Sequence, residues 1–441
     1  VAVHYQIDGS TAAGISVSVE YAVTHGTIAP GESLPPVRQL AQRLGVSPNT
    51  VAAAYRQLRE RGVVETAGRN GTRVRPRPPV APRLAAHPPV PPGLVDLSTG
   101  EPDTDLLPDP APALARVAAA ATATNYQAAP LPALLAAARY RLGPVPSAHV
   151  TITGGALDGL ERILTAHLKA GDKVAVEDPG WAALLDLVAA LGLHPLPVAV
   201  DDNGPEPAGV AAALARGAKA VIVTSRAQNP TGAVITSERA AELRRVLEPF
   251  PSVLVIEDDH AAELASEELT TIAGATRCWA FLRSTSKPYG PDLRLAVLAG
   301  DETTVARVEG RMRLGAGWVS TVLQRLVVEM WSDAAVAGRV RVARAGYEER
   351  RARLVGALRA RGVPARGRSG VNVWVPVADE TFAVTRIRDA GFAVAPGAPY
   401  RVAAPPAVRV SIGRLRPDMY EPLVTALVSA VRPGGRVRQP V

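Results

Sequence analysis

The stretch "RPRPPVAPRLAAHPPVPPG", residues 75–93, constrains this 441-residue chain more than any other. Eight of its nineteen residues are proline. Proline has a fixed φ and no N–H, so neither a helix interior nor a central strand can run through such a segment. It reads instead as a semi-extended, polyproline-like spacer. The chain must therefore fold as separate pieces: a small head over residues 1–75, the linker over 76–94 and a large body over 95–441. A hydrophobic content of 47% is enough to fill the cores of two or three domains.

The formal charge is +8, and its distribution says more than its total. Between Leu34 and Arg77 nine arginines stand against Glu60 and Glu65, which is nearly the whole excess. A basic patch confined to a small domain points to a polyanion. The single cysteine, Cys278, excludes a disulfide framework and suits a reducing compartment. No signal-like or membrane-spanning apolar run is evident, so the sequence predicts a soluble cytoplasmic protein. No metal-ligand spacing stands out.

Within the head, "LPPVRQLAQRLGVSPNTVAAAYRQLRERGVVETAGRNGTRV" predicts a helix from about Pro36 to Leu44 that stops at Gly45, then a second helix to about Arg61 capped by Ser47. Two strands flank the turn "GRNG". This is the winged helix-turn-helix plan, whose second helix enters the major groove of double-stranded DNA. Leu40, Ala41, Leu44, Val46, Val51, Ala54, Tyr55 and Leu58 form its internal face. Arg38, Ser47, Asn49, Thr50 and Arg56, with Arg69 at the wing tip, are left to meet phosphates and base edges.

The body alternates helix-length stretches with the β-branched runs "HVTIT", "KVAVED", "AVIVTS", "SVLVIED" and "RLAVLAG", the pattern of crossover units in a mostly parallel sheet. From about residue 318 two long helices lead to "VNVWVPV" and "AVRVSIG", strands of a smaller C-terminal lobe.

The chain has four lysines, Lys169, Lys173, Lys219 and Lys287, among many arginines. Lys287 stands in "STSKPYGPDLRLAVLAG". An amine can lose its proton near neutrality and attack a carbonyl, which a guanidinium cannot. Around it lie the groups that pyridoxal 5′-phosphate (PLP) needs. Ser284 suits a phosphate, as do the amides of Gly155 and Ala156 at the strand-to-helix turn "TITGGALDGL", and Arg294 offers a fork for a phosphate or for a supporting carboxylate. Asp258, with Asp259 as the alternative, suits the pyridine nitrogen. Asn229 in "SRAQNPTG" and His260 suit the ring oxygen, and Trp181 in "EDPGW" could cover the ring face. These groups fall at the carboxyl ends of successive strands, where open α/β sheets bind ligands.

The head closely resembles the GntR-type DNA-binding domain from Pro30 to Thr72, with Pro48 at a position where that family usually has arginine. The body resembles a fold-type I aminotransferase over about residues 95–432. That resemblance implies that Arg409 in "VRVSIGRLRPD" receives a substrate or effector carboxylate. It also implies that Tyr126 reaches a cofactor phosphate, commonly across a dimer. His260 stands where a tyrosine is usual, and Gly154 and Leu157 stand where a hydroxyl and an amide are common. Together the halves resemble the MocR-type transcriptional regulators. In those, PLP forms an aldimine with the body lysine and an amine, an amino acid or PLP itself acts as effector. The subunits pair as a head-to-tail homodimer on operator DNA. Two other readings are a working aminotransferase with an accessory DNA-binding head, and a body that binds no cofactor.

Overall fold

A computed structural model of the chain describes residues 7–24, 27–29, 31–60, 62–66, 71–75, 90–120 and 129–431. The chain divides into two units, and its head and body are taken in turn. The linker residues 76–89, Arg69 and Tyr126 lie outside the described residues.

In the head, α1 (Ala12–Thr24), α2 (Val37–Leu44) and α3 (Pro48–Glu60) precede a hairpin of β1 (Val64–Thr66) and β2 (Thr72–Val74). The hairpin is antiparallel, with Val64 opposite Val74. Gly45 ends α2 at φ 65°, a left-handed conformation that glycine adopts without steric cost. Ser47 caps α3, its Oγ accepting the Thr50 N–H at 3.1 Å. Removing that cap with Ser47→Ala should lower the stability of the head by about 1 kcal/mol, measured by thermal melting. Leu40, Ala41, Val51, Ala54, Tyr55 and Leu58 are buried as the sequence predicts, and Leu44 and Val46 pack partly buried beside them.

The first helix was not predicted. "AAGISVSVEYAVT" is rich in β-branched residues and nearly alternates, yet Ile15, Val19 and Ala22 share one helical face and close the core from a third side. Ser16 is buried there too, and its hydroxyl donates to the Ala54 carbonyl at 3.1 Å or to Gln57 Oε1 at 2.9 Å.

The body contains β3 (Val95–Leu97), β4 (His149–Thr153), β5 (Lys173–Asp178), β6 (His194–Asp201), β7 (Gly204–Pro205), β8 (Ala220–Thr224), β9 (Leu254–Asp259), β10 (Cys278–Ser284), β11 (Ala296–Gly300), β12 (Asn372–Pro376), β13 (Phe392–Pro396) and β14 (Ala407–Ser411). The larger sheet runs β4-β11-β10-β9-β8-β5-β6-β7. Its central strands β8, β9 and β10 are parallel, and β11 is antiparallel to both β10 and β4. Register places Thr224, Asp258 and Leu282 side by side, so these parallel strands deliver their carboxyl ends to one edge. Each is buried on both faces, which is why the apolar runs are continuous and the acidic residues wait until the strand ends.

The smaller lobe has a second sheet in the order β12-β14-β13-β3. The sequence identified β12 and β14 but not β13, nor β3, which pairs parallel with β13 from the opposite end of the body. Two long helices, Thr321–Ser332 and Ala334–Ala360, lead into this lobe.

Candidate functional site

Lys287 sits on a four-residue helix, Ser286–Tyr289, just past the end of β10. Its backbone is fixed by neighbouring hydroxyls. Thr285 Oγ1 donates to the carbonyl of Leu293 at 2.9 Å or of Leu295 at 2.8 Å, and Ser286 Oγ donates to Leu293 at 3.0 Å. The Lys287 amine donates to the Gly100 carbonyl at 2.5 Å. Burial, aided by the Arg409 charge and opposed by Glu101, pushes this amine down to about 8. A substantial fraction is therefore neutral near physiological pH, as a nucleophile must be.

Asp258 and Asp259 are adjacent on β9, so their side chains point to opposite faces of the sheet. Asp259 is wholly buried between Arg226 and Arg283, each with Nη2 at 2.8 Å from Oδ2. Burial alone would raise its carboxyl, but the two guanidinium groups overcome this and hold it below its ordinary value. Asp258 Oδ2 lies 3.0 Å from His260 Nδ1, while Oδ1 is buried without a hydrogen-bond partner. An orphaned buried carboxylate oxygen is costly and fits an absent donor such as a protonated pyridine nitrogen. His260 was expected at the ring oxygen. Its Nδ1 meets the Asp258 carboxylate two residues away, a contact that leaves Nε2 unengaged.

Behind Asp258, Glu177 accepts the Thr224 N–H at 3.0 Å and hydroxyl at 2.8 Å, and Gln228 Nε2 at 3.2 Å. Burial, with a smaller contribution from Asp258, raises Glu177 to about 7 against the effect of these bonds. A carboxyl that readily keeps its proton limits repulsion of the Asp258 charge.

Gly155 takes φ 107° at the turn between β4 and the helix Ala156–His167. That φ favours glycine, and the absence of a Cβ lets Arg294 Nη2 come within 2.9 Å of where one would stand. Arg294 is exposed and has no carboxylate partner among the described residues. The first amides of the helix lack intrahelical acceptors and lie beside it. Asp158 already takes the Gly154 N–H at 2.8 Å, which leaves Gly155 and Ala156 as the candidate donors. Ser284 is buried at the end of β10, where its Oγ accepts the Ser286 N–H at 3.3 Å. Trp181 follows β5 and is half-buried.

Arg409 on β14 is 3% exposed. Its Nη1 donates to Asn229 Oδ1 at 3.1 Å, Nη2 donates to the Ser98 carbonyl, and its guanidinium carbon lies 4.5 Å from the centre of the Tyr400 ring. Its Nε is buried without a hydrogen-bond partner. No carboxylate pairs with Arg409 among the described residues, and burial lowers its pKa despite Tyr400 and Asp96. A buried cation without a counter-ion is expensive, and an anionic ligand group would complete it.

Sequence reasoning missed the segment Ser98–Glu101, whose carbonyls meet Lys287 and Arg409, and it missed Tyr400. "STGEPD" lies at the start of the body with no periodic pattern, and only long-range folding brings it to the lysine. On the DNA-binding side Arg38, Asn49 and Arg56 are exposed on α2 and α3. The hydroxyls of Ser47 and Thr50 lie 2.9 Å apart and are engaged with one another. No metal-ligating cluster of three or more His, Cys, Asp or Glu occurs among the described residues, and none of their helices is long and apolar enough to cross a membrane.

Residues 12–74 match the gntR family of bacterial regulatory proteins, and residues 92–427 match aminotransferase class I and II. The chain is 39% identical over 431 residues to the vitamin B6 salvage pathway transcriptional repressor PtsJ of Salmonella typhimurium, covering 96% of this chain and 99% of that one. It is 32% identical over 253 residues to the HTH-type pyridoxine biosynthesis transcriptional regulator PdxR of Corynebacterium glutamicum, covering 55% and 54%. Among solved structures, aspartate aminotransferase from Thermus thermophilus with maleate superposes with a TM-score of 0.66 at 25% identity, covering 76% of this chain and 90% of that one. The α-aminoadipate aminotransferase LysN of Thermus thermophilus shares the fold with a TM-score of 0.68 at 22% identity, covering 77% and 92%. With a gntR-type head and an aminotransferase-type body aligned end to end with a named repressor, the chain belongs to the MocR-type transcriptional regulators.

Proposed function

We propose that this regulator holds PLP on Lys287 and reads an amine, an amino acid or PLP itself as its effector, thereby changing how its heads engage operator DNA. The observation that carries this reading is a buried amine and a half-satisfied aspartate at the carboxyl ends of β10 and β9, with a buried arginine of β14 that has no carboxylate partner among the described residues reaching in to Asn229. PLP bound there would supply an aldehyde for which an incoming amine can compete. Asp258 would accept the pyridine N–H. Asn229, whose oxygen is turned to Arg409, would donate to the ring oxygen, with His260 Nε2 as a further donor. Ser284, Arg294 and the amides of Gly155 and Ala156 would hold the phosphate. Trp181 would cover the ring, and Tyr126 would complete the phosphate site from the other subunit of a head-to-tail homodimer. Arg409 would take an effector carboxylate.

Regulation requires the effector to bind one arrangement of the body better than another. Spectral titration of the PLP-loaded protein with amino acids and with amines of matched side chain tests the role of Arg409. Amino acids should bind more tightly, and Arg409→Met should erase the difference. An equal response in the native protein would reject a carboxylate role.

Capture should also follow pH. Lys287 is held down to about 8, so its neutral fraction rises with pH and levels off above that value. The rate of PLP uptake should have its midpoint near pH 8, where an ordinary lysine would still be rising past pH 10. On the DNA side, Arg38→Ala should weaken operator binding and reduce the slope of log affinity against log salt by about one. A second reading, turnover as an aminotransferase, is favoured by the retention of lysine, aspartate and arginine together. Steady conversion of an amino acid and a keto acid at about 1 per second or faster would establish it.

A further inference from the structure

β5 ends in Asp178, and its carboxylate is consumed by a segment far away in sequence. Oδ1 accepts the Val402 N–H at 2.8 Å, and Oδ2 accepts those of Ala403 and Ala404, both at 2.8 Å. Two residues on, the Gly180 N–H donates to the Tyr400 carbonyl at 2.7 Å. Four hydrogen bonds thus staple the turn 178–180 to the segment 400–404. The turn admits only glycine at 180, because a Cβ there would lie 2.3 Å from the Glu177 carbonyl oxygen.

Each side of the staple leads directly to a ligand-facing group. Trp181 follows Gly180. On the other side the Tyr400 ring backs the Arg409 guanidinium at 4.5 Å and meets Trp374 edge-on at 6.3 Å. Tyr400, Trp374, Ala182, Ala395 and Ala407 form one buried cluster. Tyr400 makes no hydrogen bond through its buried hydroxyl, so it acts as a packing surface. The segment 401–406 has no regular structure and is rich in small residues and proline; its ends are held by Arg401, which donates to Glu380 Oε1 at 2.9 Å, and by the Pro406 carbonyl, which accepts the Val377 N–H at 3.1 Å, while the Asp178 carboxylate holds the amides of residues 402–404 between them. Beside it lies a cavity of about 430 Å³ lined by Pro179, Trp374, Ala403, Ala404 and Pro405, space into which a released segment could move.

We propose that Asp178 is a positioning residue for carboxylate recognition, holding the 400–404 segment so that Tyr400 keeps Arg409 aimed at the ligand and rigidly tied to the turn that carries Trp181. The inference rests on the proposed roles of Lys287 and Arg409. Asp178 itself touches neither ligand nor cofactor. A carboxylate that accepts three backbone N–H groups is strongly held, and an amide of the same shape cannot replace it, since its nitrogen has no lone pair to offer those donors.

The test uses full-length protein loaded with PLP. Asp178→Asn should leave PLP affinity within about twofold. Affinity for an amino acid should fall about tenfold, the effect of losing one charge-assisted contact, while affinity for the matched amine without a carboxylate stays within about twofold. A merely structural role would lower the melting temperature and weaken both ligands alike. Tyr400→Leu acts at the far end of the same link and also stands in if Asp178→Asn does not fold. It should reproduce the selective loss, and the double variant should lose little more than either single one. An unchanged amino acid to amine ratio in these variants, or fully additive losses, would overturn the proposal. If native protein takes up no PLP, the Lys287 reading fails instead, and the two failures are distinct.

Discussion

Lys287→Arg is expected to abolish covalent capture of PLP while leaving the protein folded. The substitution keeps the positive charge and much of the length, but a guanidinium does not lose its proton in a protein and so cannot attack an aldehyde. The chain should still fold, because the Lys287 side chain makes one polar contact, to the Gly100 carbonyl, which arginine can also supply, but a bulkier and permanently charged group beside Arg409 should lower the melting temperature. The buried ammonium moreover costs stability below its shifted pKa of about 8, so Lys287→Ala should melt no lower than native protein and slightly higher near neutral pH. Visible absorbance on adding PLP, compared with the melting temperature of the same samples, separates the two effects. A loss of absorbance accompanied by collapse of the fold would contradict this account.

The second large effect belongs to stability. Asp259→Ala or Asp259→Asn leaves Arg226 and Arg283 facing one another, each 9% exposed, with their shared counter-charge gone. Breaking a buried pair by removing one partner costs about 3–5 kcal/mol. Against a total stability of about 5–15 kcal/mol, that is about a fifth or more of what holds a domain together. The melting temperature should fall by about 10 °C, or the variant should aggregate on expression. One residue earlier, Asp258→Asn should melt near the native temperature, because one Asp258 oxygen already lacks a partner, and should instead weaken PLP binding. The contrast follows from strand alternation: one carboxylate faces the ligand edge and the other faces the arginines. It also has a pH signature. Asp259 is held below its unfolded value, so its contribution is fully present above the unfolded carboxylate pKa and is lost as pH falls through the lower folded value. An Asp259 variant should differ most from native protein near neutrality and converge with it in strong acid.

The elements best read in the sequence are those whose signals are local. The Gly45 stop, the Ser47 cap and the continuous apolar strands each depend on a few neighbouring residues. The strand ends could be read too, because acidic and hydroxyl residues cluster there. α1 escaped because β-branched residues with near alternation favour strand locally, and only packing on α3 selects the helix. β3 escaped because three residues, Val95–Leu97, carry no period.

At the site the limit is sequence distance. Gly100 reaches Lys287 across 187 positions, and Asp178 reaches Ala404 across 226. No spacing rule connects such pairs. The distinct fates of Asp258 and Asp259 were partly legible, because alternation forbids both from facing one ligand. Their partners were not, since Arg226 and Arg283 read only as arginines near strand ends.

The claim on which the rest depends is that one amine, Lys287, captures the aldehyde of PLP. The most direct measurement is to incubate the full-length protein with PLP, reduce with borohydride and locate the added mass by peptide mapping. The account predicts a stoichiometric adduct on Lys287. An adduct spread over Lys169, Lys173 and Lys219, or no adduct at all, would contradict it.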